Sequence, residues 1–250
     1  MVIYEYPFNE LVRSLLRLEY LFERFKYYVE KDDARDMHQA ISIIFDLGEI
    51  TARADLKSSL MKELERQRLN LESFKNKTKV NQELLDTTLS DMNVIWQKIN
   101  QTMGKPNALI VDSEWLNAIR TRLNIPGGTS PIDLPSYHAW QYIEPERRRA
   151  ILKNYTLPLE PWNEASQMFL RLLRESGQSV DLTAKDGTYQ QMMSGKTYQL
   201  MRVSVQDPSV IPEVSANKYM MWVRFMSCDG VAKPQPIARD FDFSMSLCNF

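Results

Sequence analysis

Residues 11–29 read LVRSLLRLEYLFERFKYYV, and this stretch decides the fold of the first half of the chain. Its apolar residues recur at steps of four and three, a spacing that places them on one face of an α-helix. The stripe consists of Leu11, Leu15, Leu18, Phe22, Phe25 and Val29. Such a helix must bury this face, so the stretch predicts an amphipathic helix packed against other helices.

The same spacing recurs twice before residue 104 and predicts two further long helices. One stripe consists of Leu56, Leu60, Leu64, Gln67, Leu71 and Phe74, and the other of Leu85, Leu89, Met92, Trp96, Ile99 and Met103. A shorter helix fits Asp33 to Leu47, with Gly48 expected to end it. Together these helices predict an antiparallel bundle. The stripes suit either the core of that bundle or a dimer seam, since heptad spacing serves both.

The middle of the chain, residues 104–162, is rich in proline and holds Gly127-Gly128. Short helices are expected at Glu114 to Leu123 and at Pro145 to Asn154, with a turn between them. A stronger helix is expected from about Trp162 to Ser176, ended by Gly177.

After residue 178 the period becomes two. Residues 241–248 read FDFSMSLC, in which apolar and mainly polar residues alternate as in a half-buried strand. Residues 218–226 and 197–205 are expected to form further strands. Helices followed by strands, without βαβ alternation, predict an α+β fold with an antiparallel sheet.

Composition excludes several classes of protein. Lys plus Arg total 31 and Asp plus Glu total 32, which argues against coating nucleic acid by bulk charge. No apolar run is long enough to span a bilayer, and the first residues do not resemble a secretion signal. We therefore expect a cytoplasmic protein without membrane insertion. The two cysteines, Cys228 and Cys248, are too few for a disulfide scaffold.

Catalytic and metal-binding signals are nearly absent. His38 and His138 are the only histidines, and the cysteines lack zinc-finger spacing. No nucleotide-binding glycine motif or nucleophile elbow is present. We expect no catalytic residue, no metal and no cofactor, and we expect His138 to be a hydrogen-bonded structural residue. A hydrolase or transferase with a site at Gly127-Gly128 and His138 is one alternative.

Basic and aromatic residues are the remaining candidates for function. Arg53 and Lys57 stand four apart near the start of a predicted helix, where positive charge opposes the helix dipole. The predicted strand at 218–226 places Lys218, Met220, Trp222 and Arg224 on one face. Such a face suits a peptide with acidic and apolar side chains, or else it is a covered sheet face.

Two other basic groups stand out. Arg120 and Arg122 precede the Pro-Gly-Gly turn. The triplet Arg147-Arg148-Arg149 follows two glutamates, and a solvated helix face is its expected role. A nucleic-acid-binding α+β protein that uses this triplet and the sheet face is the second alternative.

The chain resembles the ZapD (Z-ring-associated protein D) family of bacterial cell division proteins along nearly its whole length. The matching stretches are YEYPFNE at 4–10 with Arg13 and LRLE at 16–19, KELERQ at 62–67, RL at 122–123 with IPGG at 125–128, DLP at 133–135 with His138 and Trp140, VRFM at 223–226 and DFDF at 240–243. They occur in the family's order and with similar spacing.

This resemblance implies an α+β architecture in which an N-terminal antiparallel helical bundle precedes a curved, mostly antiparallel β-domain. The dimerising helical domain would span residues 1–112, with helix 162–177 packing back on it. The β-domain would span residues 113–161 and 178–250. The protein would be a non-enzymatic homodimer that is recruited to midcell. There it would bind the C-terminal tail of FtsZ, the tubulin-like GTPase of the division ring, and bundle its protofilaments.

The resemblance also implies where the tail binds. Arg53 and Arg224 match family arginines implicated in FtsZ binding. Glu114 and Met220 stand at two positions that the family keeps basic. The further candidates for contact with the tail are Lys57, Lys218, Arg120, Arg122, Trp222 and Met220.

Overall fold

The computed structural model describes residues 1–77, 80–102, 104–193 and 195–250, which form two compact units. Ser14–Phe169 is called the helical unit here. Met1–Arg13 together with Leu170–Phe250 is called the β unit. The predicted α+β class is confirmed, because helices dominate the first part of the chain and antiparallel strands the last.

The long helices cover the predicted stripes, except that the third helix ends at Glu72, before the stripe residue Phe74. In chain order the helices are α1 (Glu10–Val29), α2 (Ala34–Thr51), α3 (Ala54–Glu72), α4 (Gln82–Gln101), α5 (Ala108–Val111), α6 (Glu114–Arg120), α7 (Pro135–Gln141), α8 (Pro145–Thr156) and α9 (Glu160–Glu175). Asp33, Asn81 and Ser113 cap α2, α4 and α6, because each side chain accepts a hydrogen bond from a first-turn amide.

Most residues of the apolar stripes lie in the core, whereas Leu11, Leu71, Phe74 and Trp96 are half-buried. Leu15 and Leu18 of α1, Leu60 of α3 and Ile99 of α4 are completely buried within the chain. These residues are therefore core rather than a dimer seam. Met103, expected on the last stripe, lies outside the described residues.

The expectation that Gly48 ends the second helix is wrong, because α2 continues to Thr51. Gly48 instead allows a close approach between segments. A Cβ atom at this position would lie 3.1 Å from Cδ1 of Ile110, and Asn107 Nδ2 donates a 3.0 Å hydrogen bond to the Gly48 carbonyl.

The segment 113–161 contains α6, α7 and α8 and lies within the helical unit. The helices at 114 and 145 were expected, whereas α5 and α7 were not. Pro135 begins α7, where its missing amide and fixed φ are tolerated. The domain boundaries implied by the resemblance stay a prediction.

The β unit contains two antiparallel sheets. Its strands are β1 (Val2–Pro7), β2 (Val180–Ala184), β3 (Thr188–Met192), β4 (Leu200–Val205), β5 (Val210–Ala216), β6 (Met220–Ser227), β7 (Gln235–Pro236) and β8 (Phe241–Cys248). One sheet has the order β1-β4-β8-β2 and the other β3-β6-β5, with β7 also pairing with β6. β1 was not predicted, because six residues without clear alternation give too weak a signal.

The two sheets share one apolar core. Val203 of β4, Phe225 of β6 and Phe243 of β8 belong to it and are almost fully buried. The expected alternation in β8 holds only in part, because Ser246 and Cys248 on its second face are buried as well. Cys248 Sγ lies close to Gly177, where an added Cβ would come within 2.6 Å of the sulfur.

A carboxylate bound by two arginines joins three elements of the β unit. Glu5 of β1 accepts hydrogen bonds from Arg174 near the end of α9, at 2.7 Å, and from Arg202 of β4, at 3.0 Å. All three side chains are largely buried. Removing the carboxylate would take a charged hydrogen-bond partner from both guanidinium groups, so this cluster contributes to holding β1 in place.

Gln67 is the polar interruption in the α3 stripe, and the structure buries it completely. Neither Nε2 nor Oε1 has a hydrogen-bond partner within the described residues. Leaving buried polar atoms without partners destabilises the folded state.

We therefore predict that Gln67→Leu raises the free energy of unfolding by about 1–3 kcal/mol, because the variant buries no unpaired amide. The melting temperature should rise by roughly 2–4 °C per kcal/mol. Thermal and urea unfolding followed by circular dichroism measure both quantities. Leu64→Gln, which adds a second buried amide one turn away, should have the opposite effect. A lower melting temperature for Gln67→Leu would contradict the prediction.

Candidate functional sites: two grooves with exposed arginines

The first candidate site is a groove of about 630 Å³ in the helical unit. It is lined by Arg17, Tyr20, Leu21, Asp46, Glu49, Ile50 and Arg53. We call it the α1–α2 groove, since those helices supply every lining residue except Arg53. The volume falls within the range of roughly 300–1,000 Å³ that is typical of ligand sites.

Arg53 lies where the sequence predicts it, at the N-terminus of a helix. It is the N-cap residue of α3 and makes no capping hydrogen bond with its side chain. Its Nη1 lies 3.4 Å from Oγ of Ser14. A guanidinium group beside the positive end of a helix dipole is unfavourable for the helix. The position therefore favours a role in binding an anionic group.

Arg17 lines the same groove and was not among the predicted site residues. It is exposed on α1, on the groove wall that also holds Tyr20. The sequence places Arg17 and Arg53 on different helices, so no spacing rule joins them.

Acidic residues also line the α1–α2 groove. Desolvation by neighbouring atoms and the charge of Glu49 raise the pKa of the Asp46 carboxyl, although the residue as a whole is exposed. Arg24 Nη1 donates a 2.7 Å hydrogen bond to the hydroxyl of Tyr20. An acidic ligand in this groove would meet both attraction and repulsion, so it would have to seat its charge near Arg17 and Arg53.

Lys57 has a structural contact. Its ammonium group donates a 2.9 Å hydrogen bond to the carbonyl of Thr102, the C-cap residue of α4. A cation at the C-terminus of a helix is favourable. Lys57 is not among the residues that line the α1–α2 groove.

Arg120 and Arg122 do not line this groove either. Arg122 pairs with Asp133 at 3.2 Å, and the guanidinium carbon of Arg120 lies 5.9 Å from the centre of the Phe45 ring. Glu114 stands in the first turn of α6, where a carboxylate is favourable.

The second candidate site is a groove of about 440 Å³ in the β unit. It is lined by Thr188, Glu213, Val214, Ser215, Trp222 and Arg224, and we call it the β6 groove. Strand pairing sets its geometry, because Arg224 stands between Thr188 of β3 and Glu213 of β5, and Trp222 between Gln190 and Ser215.

Arg224 and Trp222 lie on the face of β6 opposite the core, as the alternation predicts. Met221, Val223 and Phe225 are completely buried, whereas Arg224 is exposed and Trp222 half-buried. Within the described part of the chain, the Arg224 guanidinium forms no hydrogen bond or ion pair. An exposed cation beside an indole ring can bind a peptide that carries both acidic and apolar groups.

Lys218 and Met220 lie near the start of β6 but do not line the β6 groove. The ammonium group of Lys218 lies 4.7 Å from the centre of the Tyr219 ring. Met220 is partly exposed and stands opposite Met192 of β3.

The expectation of a solvated face for Arg147-Arg148-Arg149 is wrong for two of its residues. Arg148 is only 4% exposed and donates hydrogen bonds to the carbonyls of Gln141 and Asp32. Arg149 donates to the carbonyl of Val29 and pairs with the Asp32 carboxylate. These two arginines hold the segment that follows α1, so they are poorly placed to bind nucleic acid.

The hydrogen bond expected at His138 is not found at its buried Nδ1 within the described residues. His38 has the predicted kind of contact instead, since its Nδ1 lies 2.7 Å from the hydroxyl of Tyr137. Gly127 adopts a positive φ of 69°, and an added Cβ on Gly128 would lie 2.6 Å from the Arg122 carbonyl oxygen. The turn itself therefore accounts for both glycines.

Two features are absent from the described residues. No three His, Cys, Asp or Glu side chains come together as a metal site there. No helix in that part of the chain has the length and apolar character needed to cross a membrane.

The fold and the two grooves define a class: an α+β protein with open surface grooves, each of which presents an exposed arginine beside aromatic and aliphatic side chains. The comparison with protein families agrees with the resemblance noted in the sequence. The ZapD family, described as a cell division protein, matches residues 16–224. The chain belongs to this family.

The burial of His38 predicts how the stability of the helical unit depends on pH. Burial lowers the pKa of its imidazole below the ordinary value of 6.5. The unfolded chain therefore takes up a proton at a higher pH than the folded one, and stability is lost as the pH falls below about 6.5. We predict that urea unfolding between pH 7 and pH 5 shows this loss and that His38→Gln reduces it. An equal loss in both proteins would contradict this assignment.

Proposed function

We propose that this cell division protein binds the C-terminal tail of FtsZ and, as a homodimer, cross-links FtsZ protofilaments in the cytoplasm at midcell. The proposed activity is binding only, without a chemical reaction, cofactor or metal. The observation that carries the proposal is the exposed Arg224 beside Trp222 in the β6 groove of a chain that belongs to the ZapD family.

The chemistry of both grooves supports capture of an acidic and apolar tail. Arg224 in one groove, and Arg17 and Arg53 in the other, offer guanidinium groups that form charge-assisted hydrogen bonds with carboxylates. Trp222 in the first, and Ile50 in the second, offer apolar contact area. Each groove is open, and acids such as Glu213 stand beside the cations, so a single contact is expected to be weak.

Dimerisation would make two weak captures effective. A two-fold dimer presents two copies of each groove, and a tail bound at one copy raises the local concentration of filament at the other. Leu15, Leu18, Leu60 and Ile99 are already buried within the chain, so the dimer would form through other residues of the helical domain.

The remaining predicted contacts differ in their support. The hydrogen bond of Lys57 to Thr102 and the ion pair of Arg122 with Asp133 give these two cations structural partners. Lys218, Arg120 and Met220 line neither groove and stay candidates for contact with the tail. Arg17 joins Arg53 and Arg224 as a proposed tail contact because it lines the α1–α2 groove.

We predict that Arg224→Glu and Arg53→Glu each abolish the bundling of FtsZ in a sedimentation assay. Each change replaces attraction for an acidic tail by repulsion. The matched controls are Lys233→Glu in the β unit and Lys62→Glu on α3, which make the same charge change at other exposed positions. Both controls should bundle FtsZ like the unmodified protein.

Circular dichroism and light scattering would show that the variants stay folded and dimeric. Normal bundling by both Arg224→Glu and Arg53→Glu would refute the assignment of these arginines. Bundling of FtsZ that lacks its C-terminal tail, or a strictly monomeric protein, would refute the function itself.

Salt dependence gives a second test. Charge contacts in open grooves are screened over a Debye length of about 8–10 Å at 0.1–0.15 M ionic strength. We predict that the affinity for a fluorescent FtsZ tail peptide, measured by anisotropy, falls as sodium chloride is raised from 50 to about 500 mM. An affinity that does not change with salt would show that the tail contact is mainly apolar.

A further inference from the structure

Two strands that begin as a hairpin separate into different sheets. Asp186 and Gly187, with φ values of 47° and 69°, form the tight turn between β2 and β3. Lys185 and Thr188 form a single bridge beside this turn. Beyond the bridge β2 pairs with β8, whereas β3 pairs with β6. β2 and β3 are thus edge strands of their respective sheets.

The edge of β3 presents unpaired backbone groups. Met193 N donates to Tyr219 O, and Phe225 N donates to Gly187 O, so the odd-numbered residues of β3 bond to β6. In an antiparallel pair the residues between them point their amides and carbonyls the other way. The backbone groups of Gln190 and Met192 therefore face outward, and no strand among the described residues pairs with them.

An uncharged cleft of about 450 Å³ lies beside these two separated edges. We call it the β2–β3 cleft. Its lining residues are Ser176, Gln178, Val180, Leu182, Tyr189, Gln191, Tyr198, Met245 and Leu247. None of them is charged, so the cleft suits aliphatic or aromatic side chains.

The opposite face of β3 carries the β6 groove. Thr188 stands beside Arg224, and Gln190 beside Trp222. A strand added to the edge of β3 would direct alternate side chains to the two faces. One set would enter the uncharged cleft. The other set would lie next to Thr188 and Gln190, and the short Thr188 side chain leaves the Arg224 guanidinium a path to an acidic group there.

We propose that the FtsZ tail binds by β-strand addition along β3, with apolar side chains in the β2–β3 cleft and acidic side chains facing Arg224. This proposal rests on the proposed function and specifies the binding mode at its β-unit site. Main-chain hydrogen bonds supply affinity in such complexes, and alternate side chains supply specificity. Since β3 has five residues, the added segment is about as long.

The other edge of this sheet is protected against such addition. Cys228 N donates to Ser209 O, and Asn217 N donates to Met220 O, so odd-numbered residues of β5 bond to β6. Pro212 is even-numbered, which places its missing amide in the middle of the outward edge. Proline on an edge strand hinders pairing with another chain. β5 therefore serves as a matched control for β3.

Amide hydrogen exchange, measured by nuclear magnetic resonance, tests the proposal directly. The probe is a synthetic peptide of the FtsZ tail at a saturating concentration. We expect the exchange of the Gln190 and Met192 amides to slow by about tenfold or more, since they become hydrogen-bonded. The outward amides of Val214 and Ala216 on β5 should keep their rates.

Backbone methylation of the peptide supplies a second measurement. Only every second peptide amide points at β3, so affinity should fall about tenfold on methylation at alternate positions within one stretch of five or so residues. In the protein, Gln190→Pro removes an outward amide donor without removing a hydrogen bond to β6. This variant should bind the peptide more weakly. Ala216→Pro on β5 should not.

The outcomes separate the two proposals. Failure of the peptide to bind at any salt concentration would refute the proposed function. Binding that is lost in Arg224→Glu, but that leaves the Gln190 and Met192 amides unprotected and shows no period of two on methylation, would overturn strand addition and leave the function in place.

Discussion

The burial of three side chains of β6 determines which residues of that strand are exposed to solvent. Met221, Val223 and Phe225 are completely buried in the core that both sheets of the β unit share. Because side chains of a strand alternate between faces, their burial holds Trp222 and Arg224 on the opposite face. A slip of one residue would exchange the two sets and bury the arginine. The proposed binding surface of the β unit thus depends on the same apolar burial that stabilises the unit.

The same principle distinguishes the arginines of the helical unit. Arg148 and Arg149 donate to carbonyls after α1 and to the Asp32 carboxylate, so their charge is used inside the protein. Arg17 and Arg53 line an open groove instead. Basic residues that stabilise a helix end and basic residues that can bind a ligand look alike in the sequence. Only the tertiary structure shows that Arg148 and Arg149 donate to another segment and that Arg17 and Arg53 line a groove.

The edges of the sheets connect the fold with the proposed mode of binding. A hairpin whose strands join different sheets leaves two edges with unpaired backbone groups, which folded proteins usually cover or protect. Pro212 protects β5, whereas β3 carries no proline and borders an uncharged cleft. The contrast between the two edges of this sheet is the basis for our proposal that β3 accepts an added strand. Its neighbour Arg224 favours a partner with acidic groups.

Periodicity determined the parts of the structure that depend on residues close together in the chain. Apolar residues at steps of four and three predicted α1, α3 and α4, and apolar residues at every second position predicted β6 and β8. Both patterns arise because one face of each element is buried. The same local reasoning placed Arg53 at a helix start and Arg224 beside Trp222. These positions need no knowledge of the path of the chain.

Contacts between distant segments were decided only by the tertiary structure. Lys57 donates a hydrogen bond to Thr102, and the side chain of Ile110 packs closely against Gly48. β1 pairs with β4, which lies almost two hundred residues later in the chain. The proximity of Arg17 to Arg53 and the separation of β2 from β3 are of the same kind. Local spacing records which face of an element is apolar. It does not record which segment covers that face, because many chain paths bury the same stripe equally well.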